Sequence, residues 1–214
     1  MQEILDRLAR RGLVLYPYFI TVEERVPESA TTKDERLSIR WLLPEDAQAM
    51  ARVSVQEPDL RALQARMRSN RCLGAFWDGD LAAFSWMSTS HVPIPGSGSQ
   101  VLFPLNPTES YLFDMYVAPQ YRGLRLAGRL RAEMYSLLAA EGRTRHYSIT
   151  LAFNRSSRRF KARLGAREAE LRVYVQARAG NSSGLDVRVW STGERLRTAR
   201  IRRVPPLPKN HPLD

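Results

Sequence analysis

The sequence predicts an α/β protein built on a single mixed sheet of about seven strands flanked by helices. Three observations predict it. Apolar runs of strand length alternate with amphipathic helical segments only in the middle of the chain, giving β-β-α-α-β-β-β-α-β-α-β-β after an N-terminal helix. Hydrophobic residues make up 43% and aromatic residues 9% of the 214, enough for a core and too many for a disordered chain. Asp78-Gly79-Asp80, set between two apolar runs, marks a hairpin within that sheet.

Gln2–Arg11 spaces Ile4, Leu5 and Leu8 for one helix face. GLVLYPYFITVEE then reads as a strand, with Pro17 demoting part of it to an edge or a bend. ERVPESATTKDER, Glu24 to Arg36, is a linker or exposed loop. LSIRWLL is a strand, and Pro44-Glu45-Asp46 opens a helix as a proline and acids do in a first turn. A second helical run follows Pro58, with Leu60, Leu63 and Met67 at i, i+3 and i+7. CLGAFW and LAAFSWMSTS are the two hairpin strands.

PIPGSGSQVLFPLNPTE is a connection of a length that often carries function. Its Val101, Leu102, Phe103 and Leu105 predict an apolar pocket. SYLFDMYV is a strand, followed by VAPQYRGLRLAGRL and a helix to about Glu141 whose stripe is Leu126, Leu130, Met134 and Leu137. HYSITLAF is the next strand, and Asn154 leads into a short helix closed by Gly165. ELRVYVQARA and LDVRVWSTG form a hairpin around NSSG. The organisation is an N-terminal helix-strand extension and linker over 1–36, a main domain over 37–194 and a basic tail over 195–214. Residues 1–36 can extend a sheet edge, cover a site or build a homodimer, a packed structural extension being the default.

Lys plus Arg total 33 against 22 Asp plus Glu, a net charge of +11, and only Lys33, Lys161 and Lys209 are lysines. Such a balance attracts polyanions, whether nucleic acid, an acidic protein or a phosphorylated ligand. The arginines are spread along the chain as a compositional bias would spread them, with clusters at RRFKAR and RLRTARIRR. Without aromatic RNA-binding motifs or zinc spacing, nucleic acid is not the expected partner. Cys72 is the only cysteine, and His91, His146 and His211 lie far apart, so neither an intrachain disulfide nor a metal site is expected. No apolar run approaches the ~20 residues of a membrane span. The N-terminus carries acids and lacks a signal peptide's apolar core, so a cytoplasmic protein is expected.

The junction VAPQYRGLRLAGRL passes from strand through a Gly- and Arg-containing turn into a helix. Backbone amides converge there, as a phosphate requires. VAPQYRGLRLAG (Val117–Gly128) and TLAFNRSSRRFKARLGA (Thr150–Ala166) together resemble two segments of the GCN5-related N-acetyltransferase (GNAT) superfamily. These are its acyl-CoA-binding strand-turn-helix and the strand and short helix that follow. IRWLLPEDA resembles the family's first strand and helix, so the resemblance spans about Leu37 to Trp190.

The resemblance implies a centrally splayed sheet and an acyl-CoA-dependent N-acyltransferase, with acetyl-CoA or another acyl-CoA as co-substrate and no metal. A small-molecule or peptide amine is the implied acceptor. It assigns coenzyme A to the strand residues Met115, Tyr116 and Val117, to the turn residues Gln120, Arg122, Gly123, Leu124, Arg125, Leu126 and Ala127, and to Asn154 and Ser157. Arg125 departs from the family pattern, which places a glycine there. Lys161 stands where many members have a tyrosine that protonates the leaving thiolate, so it is the candidate acid.

For the base, Asp114 lies within the apolar strand YLFDMYV, where a carboxylate is either paired or functional. Glu109 is the second candidate and His91 the third. Two other readings stay open: a long-chain donor, carried on acyl-CoA or on an acidic acyl carrier protein that the positive charge would steer in, and a catalytically silent CoA-binding protein.

Overall fold

The computed structural model describes residues 12–24, 34–54, 59–97, 100–177 and 184–192. The helix expected over 2–11, most of the linker, all but Gly184 of the NSSG turn and the basic tail lie outside them. The fold is α/β, with four α-helices and, apart from a separate two-stranded pair, eight strands among the described residues, close to the expected count of about seven. The described chain divides into two compact units, the first gathering 12–24, 91–105 and 147–192, the second 34–90 and 106–146.

In the second unit, β2 (Leu37–Trp41), β3 (Arg71–Trp77), β4 (Asp80–Ser88) and β7 (Glu109–Val117) lie in the order β7-β4-β3-β2, every neighbouring pair antiparallel. β3 and β4 are covered on both faces, which is why CLGAF and LAAF are continuously apolar rather than alternating. On one face Leu73, Ala83, Met87 and Leu112 pack with Leu126, Leu130, Met134 and Leu138 of α3 (Leu126–Ala140). On the other, Cys72, Phe84 and Trp86 meet Met50 of α1 (Ala47–Val53) and Leu63 of α2 (Leu60–Ser69). Each large side chain buried in this way contributes about 1.5–3 kcal/mol before chain entropy is counted.

Pro44–Asp46 forms a single 3-10 turn ahead of α1, where the Leu43 amide donates to Asp46 at 2.8 Å. The hairpin loop is Asp78-Gly79, both at positive φ (51° and 90°), as a two-residue turn of the type I′ class requires.

In the first unit, β1 (Leu13–Glu23), β8 (Arg145–Leu151, of which Tyr147 onward belongs here), β9 (Arg167–Ala177) and β10 (Leu185–Ser191) run in the order β10-β9-β1-β8. The expectation that Pro17 marks an edge or bend is overturned, because β1 lies between two strands. The N–H and C=O of one strand residue face the same neighbour. The Pro17 carbonyl accepts from Ala152, just past the end of β8, so the missing proline donor falls where no β8 residue needs it.

The long connection is itself ordered as β5 (His91–Pro93) paired antiparallel with β6 (Val101–Pro104). Val101, Leu102 and Phe103 are buried, Phe103 edge-on to Tyr147 at 5.0 Å, so they build this unit's core rather than line an open apolar pocket. Gly96 is required here: its φ is 77°, and a Cβ would lie 2.5 Å from the Tyr16 ring.

The first unit also buries charge. Arg172 donates to Asp186 and Glu170 at 2.6 and 2.7 Å, and the Tyr18 hydroxyl donates to Asp186 at 2.8 Å. Burial and the Asp186 carboxylate raise the Tyr18 phenol well above its usual range, so it stays a donor.

Candidate active site

The pairing of β4 with β7 is interrupted. Phe84 faces Tyr116 and Trp86 faces Phe113, so Ser85 alone stands opposite both Asp114 and Met115. Asp114 is therefore the extra residue of a β-bulge, held at φ 43°. A left-handed non-glycine residue costs about 1–3 kcal/mol, a strain that concentrates at functional sites. The bulge turns Phe113 and Tyr116, three apart, toward the same α1/α2 side.

The Asp114 carboxylate is not isolated. Arg66, on α2, donates to it, and the Arg66 guanidinium lies 4.3 Å from the Trp86 ring centroid and 5.0 Å from that of Phe113. Tyr111 stacks on Phe113 at 5.0 Å, and burial raises its phenol above the usual range. The Tyr116 hydroxyl is buried with no hydrogen-bond partner among the described residues.

Sequence reasoning missed Arg66. Its signal was a cation between Leu63 and Met67 on the apolar side of a helix, together with an aspartate in an apolar strand that needed a partner.

After β7, Pro119–Tyr121 makes a 3-10 turn, Gly123 has φ 91°, and Arg125 caps α3 at φ 58°. Arg125 thus adopts the left-handed conformation that a glycine would give at this position, with its side chain exposed. The Gly128 and Arg129 amides both turn to the Arg125 carbonyl, and no side chain caps the helix. The first-turn amides ahead of them therefore have no intrahelical acceptor. A Cβ added at Gly123 or Gly128 would meet nothing within 4 Å, so the approach to this helix start is open.

That geometry suits a pyrophosphate, which needs converging amides and little side-chain bulk. Gln120, Arg122, Gly123, Leu124 and Arg125 are exposed there, whereas Leu126 is buried in the core and can offer only its backbone. The side chains of Tyr116 and Val117 pack into the two cores, so they too present mainly backbone.

The remaining expected residues are placed differently. Glu109, at the start of β7, is buried; its carboxylate accepts from the Asn106 amide at 2.8 Å and its carbonyl from Arg143 at 2.5 Å. His91 is half-buried, and burial lowers its pKa.

Asn154, Ser157 and Lys161 belong to the first unit. Asn154 caps α4 (Arg155–Arg163) by accepting from the Ser157 amide at 3.0 Å. Lys161 is buried, its ammonium donating to the Ile149 carbonyl at 2.9 Å and to the Thr150 hydroxyl. Gly165, at φ 80°, follows the helix as expected. The Cys72 thiol is buried and its pKa raised by desolvation, the opposite of an activated nucleophile. Among the described residues no three His, Cys, Asp or Glu side chains gather to hold a metal, and no helix is long and apolar enough to cross a membrane.

The pattern of the Acetyltransferase (GNAT) family matches residues 37–166, more than half of the chain. The chain belongs to the GNAT acetyltransferase family. Solved structures agree on the fold. A GNAT-family protein from Novosphingobium aromaticivorans superposes with a TM-score of 0.55 at 22% identity, over 77% of this chain and 66% of its own. A Drosophila protein gives 0.54 at 22%, over 82% and 56%. A tandem GNAT protein of the clavulanic acid biosynthesis pathway gives 0.59 at 16%, over 82% and 58%. The chain thus covers less than two thirds of the length of each of these structures. Among curated proteins none matches it.

The GNAT match includes the β7 bulge and the α3 start but leaves out β1, β9 and β10. Within the matched span the start of α3 is open, with Arg125 at positive φ, and Lys161 is buried.

Proposed function

We propose that this GNAT protein is an acyl-CoA-dependent N-acyltransferase, with acetyl-CoA as its donor and an amine as its acceptor. The observation that carries the reading is the α3 start, uncapped by any side chain and opened by two left-handed residues, directly after a bulged strand. The turn amides from Gly123 to Ala127 bind the pyrophosphate, with Arg122 and Arg125 adding positive charge. Backbone amides of Met115–Val117 at the bulge serve the extended pantetheine arm and the developing oxyanion.

Asp114 holds the incoming ammonium and accepts its proton, directly or through one water. The freed amine attacks the thioester carbonyl carbon, the new C–N bond forms as the C–S bond breaks, and the departing thiolate takes up the proton that the acylated nitrogen sheds. A long-chain donor loses its support, since Val101, Leu102 and Phe103 are core residues.

The test is release of free thiol from acetyl-CoA across an amine panel, with wild type beside Asp114→Asn. Asparagine tolerates the left-handed conformation, so this variant should fold. Loss of the base is expected to lower kcat/KM by about 10²–10⁴-fold. Equal rates in the two proteins would remove Asp114 from the reaction, and thioester binding without turnover of any amine would favour a silent CoA-binding protein.

A further inference from the structure

We infer that the Arg66–Asp114 pair reads the acceptor as a zwitterion, so that the preferred acceptor carries a carboxylate on the carbon next to its amine, as an α-amino acid does. The inference rests on the acyltransfer reading and deepens it. Asp114 is the bulge residue and Arg66 its partner, with side chains 40% and 22% exposed. Solvent, and hence a ligand, reaches both charges, yet the arginine is held in place. Its guanidinium stacks over Trp86 and Phe113 while Tyr111 backs Phe113, so the planar fork is oriented before anything binds.

Charge decides the ligand class. A simple ammonium approaching Asp114 also meets the Arg66 cation, which repels it or must be displaced. An ammonium that brings its own carboxylate meets no such penalty: Asp114 takes the ammonium, and the Arg66 fork takes the carboxylate with paired N–H donors. One ion pair is exchanged for two, and the site remains neutral. Arg66 therefore discriminates against plain amines by repulsion as well as favouring amino acids by attraction.

The experiment compares L-amino acids with their decarboxylated amines, L-phenylalanine against phenethylamine and L-leucine against isoamylamine. Transfer from acetyl-CoA is followed by thiol release and binding by calorimetry with coenzyme A present. Wild type should favour the amino acid by about tenfold or more in kcat/KM, the scale of hydrogen bonds to a charged group.

Arg66→Met keeps the apolar stem over Trp86 and should bring that ratio close to one. Should it fail to fold, Asp114→Asn should abolish calorimetric binding of the amino acid. Equal use of both members of each pair by wild type would overturn the inference and leave acyl transfer standing, as would a preference that survives Arg66→Met. Amino-acid binding that depends on Arg66, without any acyl transfer, would support the zwitterion site and sink the transfer reading.

Discussion

The two units build their interiors differently. The second relies on apolar packing of α3 against β3, β4 and β7, and it holds all three non-glycine residues found at positive φ, Asp78, Asp114 and Arg125. The first contains no such strained residue among those described. Beside its apolar core it buries an ion-paired cluster, Arg172 with Glu170 and Asp186, and Lys161 against strand oxygens.

Their helix starts differ in the same sense. α4 closes its first turn with Asn154, whereas α3 has no side-chain cap. A unit with a large apolar core can carry local strain and unfilled amides, and those are what a thioester-binding site needs. A buried cluster of charges depends on its partners remaining in place.

The largest effect should come from breaking that charge network. Arg172→Ala removes the cation shared by two buried carboxylates, leaving Asp186 the Tyr18 hydroxyl and Glu170 the longer contact to Arg188 at 3.4 Å, and should cost about 3–5 kcal/mol in urea unfolding. A loss below about 1 kcal/mol would show that the first unit does not depend on the network.

Next comes His146 of the second unit, whose Nδ1 lies 2.7 Å from the Ser110 hydroxyl. Burial, with Arg131 and Arg143 adding to it, pushes its pKa down to about 4. Between the ordinary value of ~6.5 and about 4 the unfolded chain binds a proton that the folded chain does not. Stability should therefore fall as pH drops through that window, by about 3 kcal/mol. Unfolding midpoints measured from pH 7 to pH 4 should show the decline, and His146→Gln should flatten it; an unchanged slope in the variant would assign the decline to other groups.

The smallest effect sharpens the contrast of helix starts. Asn154→Ala should lose about 1 kcal/mol and Asn154→Asp almost none, because aspartate caps as well. Equal losses would mean that Asn154 does more than cap α4.

Much of this was legible in the sequence because it depends on local rules. The Asp78-Gly79 turn, the Gly165 terminus and most of the α3 stripe follow from backbone preference and periodicity, although Leu138 rather than the expected Leu137 is fully buried at its end. The motif Val117–Gly128 marked the helix start even though Arg125 breaks its pattern, since the backbone there takes the left-handed form with an arginine. Pairings across long sequence separations could not be read. Pro17 looked like an edge residue because nothing local shows that β1 enters between β9 and β8. Val101–Phe103 looked like a pocket because exposure is set by what packs over a hairpin. Arg66 was invisible for the same reason, its partners Asp114 and Trp86 lying 48 and 20 residues away.

The most direct measurement is a thermal-shift titration with coenzyme A and acetyl-CoA, comparing wild type with Gly128→Asp. A Cβ at Gly128 meets nothing within 4 Å outside its own helix, and the position is in the first turn of α3, so the variant should fold while placing a negative charge beside the proposed phosphate site. At ~100 times the dissociation constant, acetyl-CoA should stabilise wild type by about 2.7 kcal/mol. The account predicts that this gain is lost in the variant. An equal gain in both proteins, or none in wild type, would contradict the claim that the open start of α3 binds the donor.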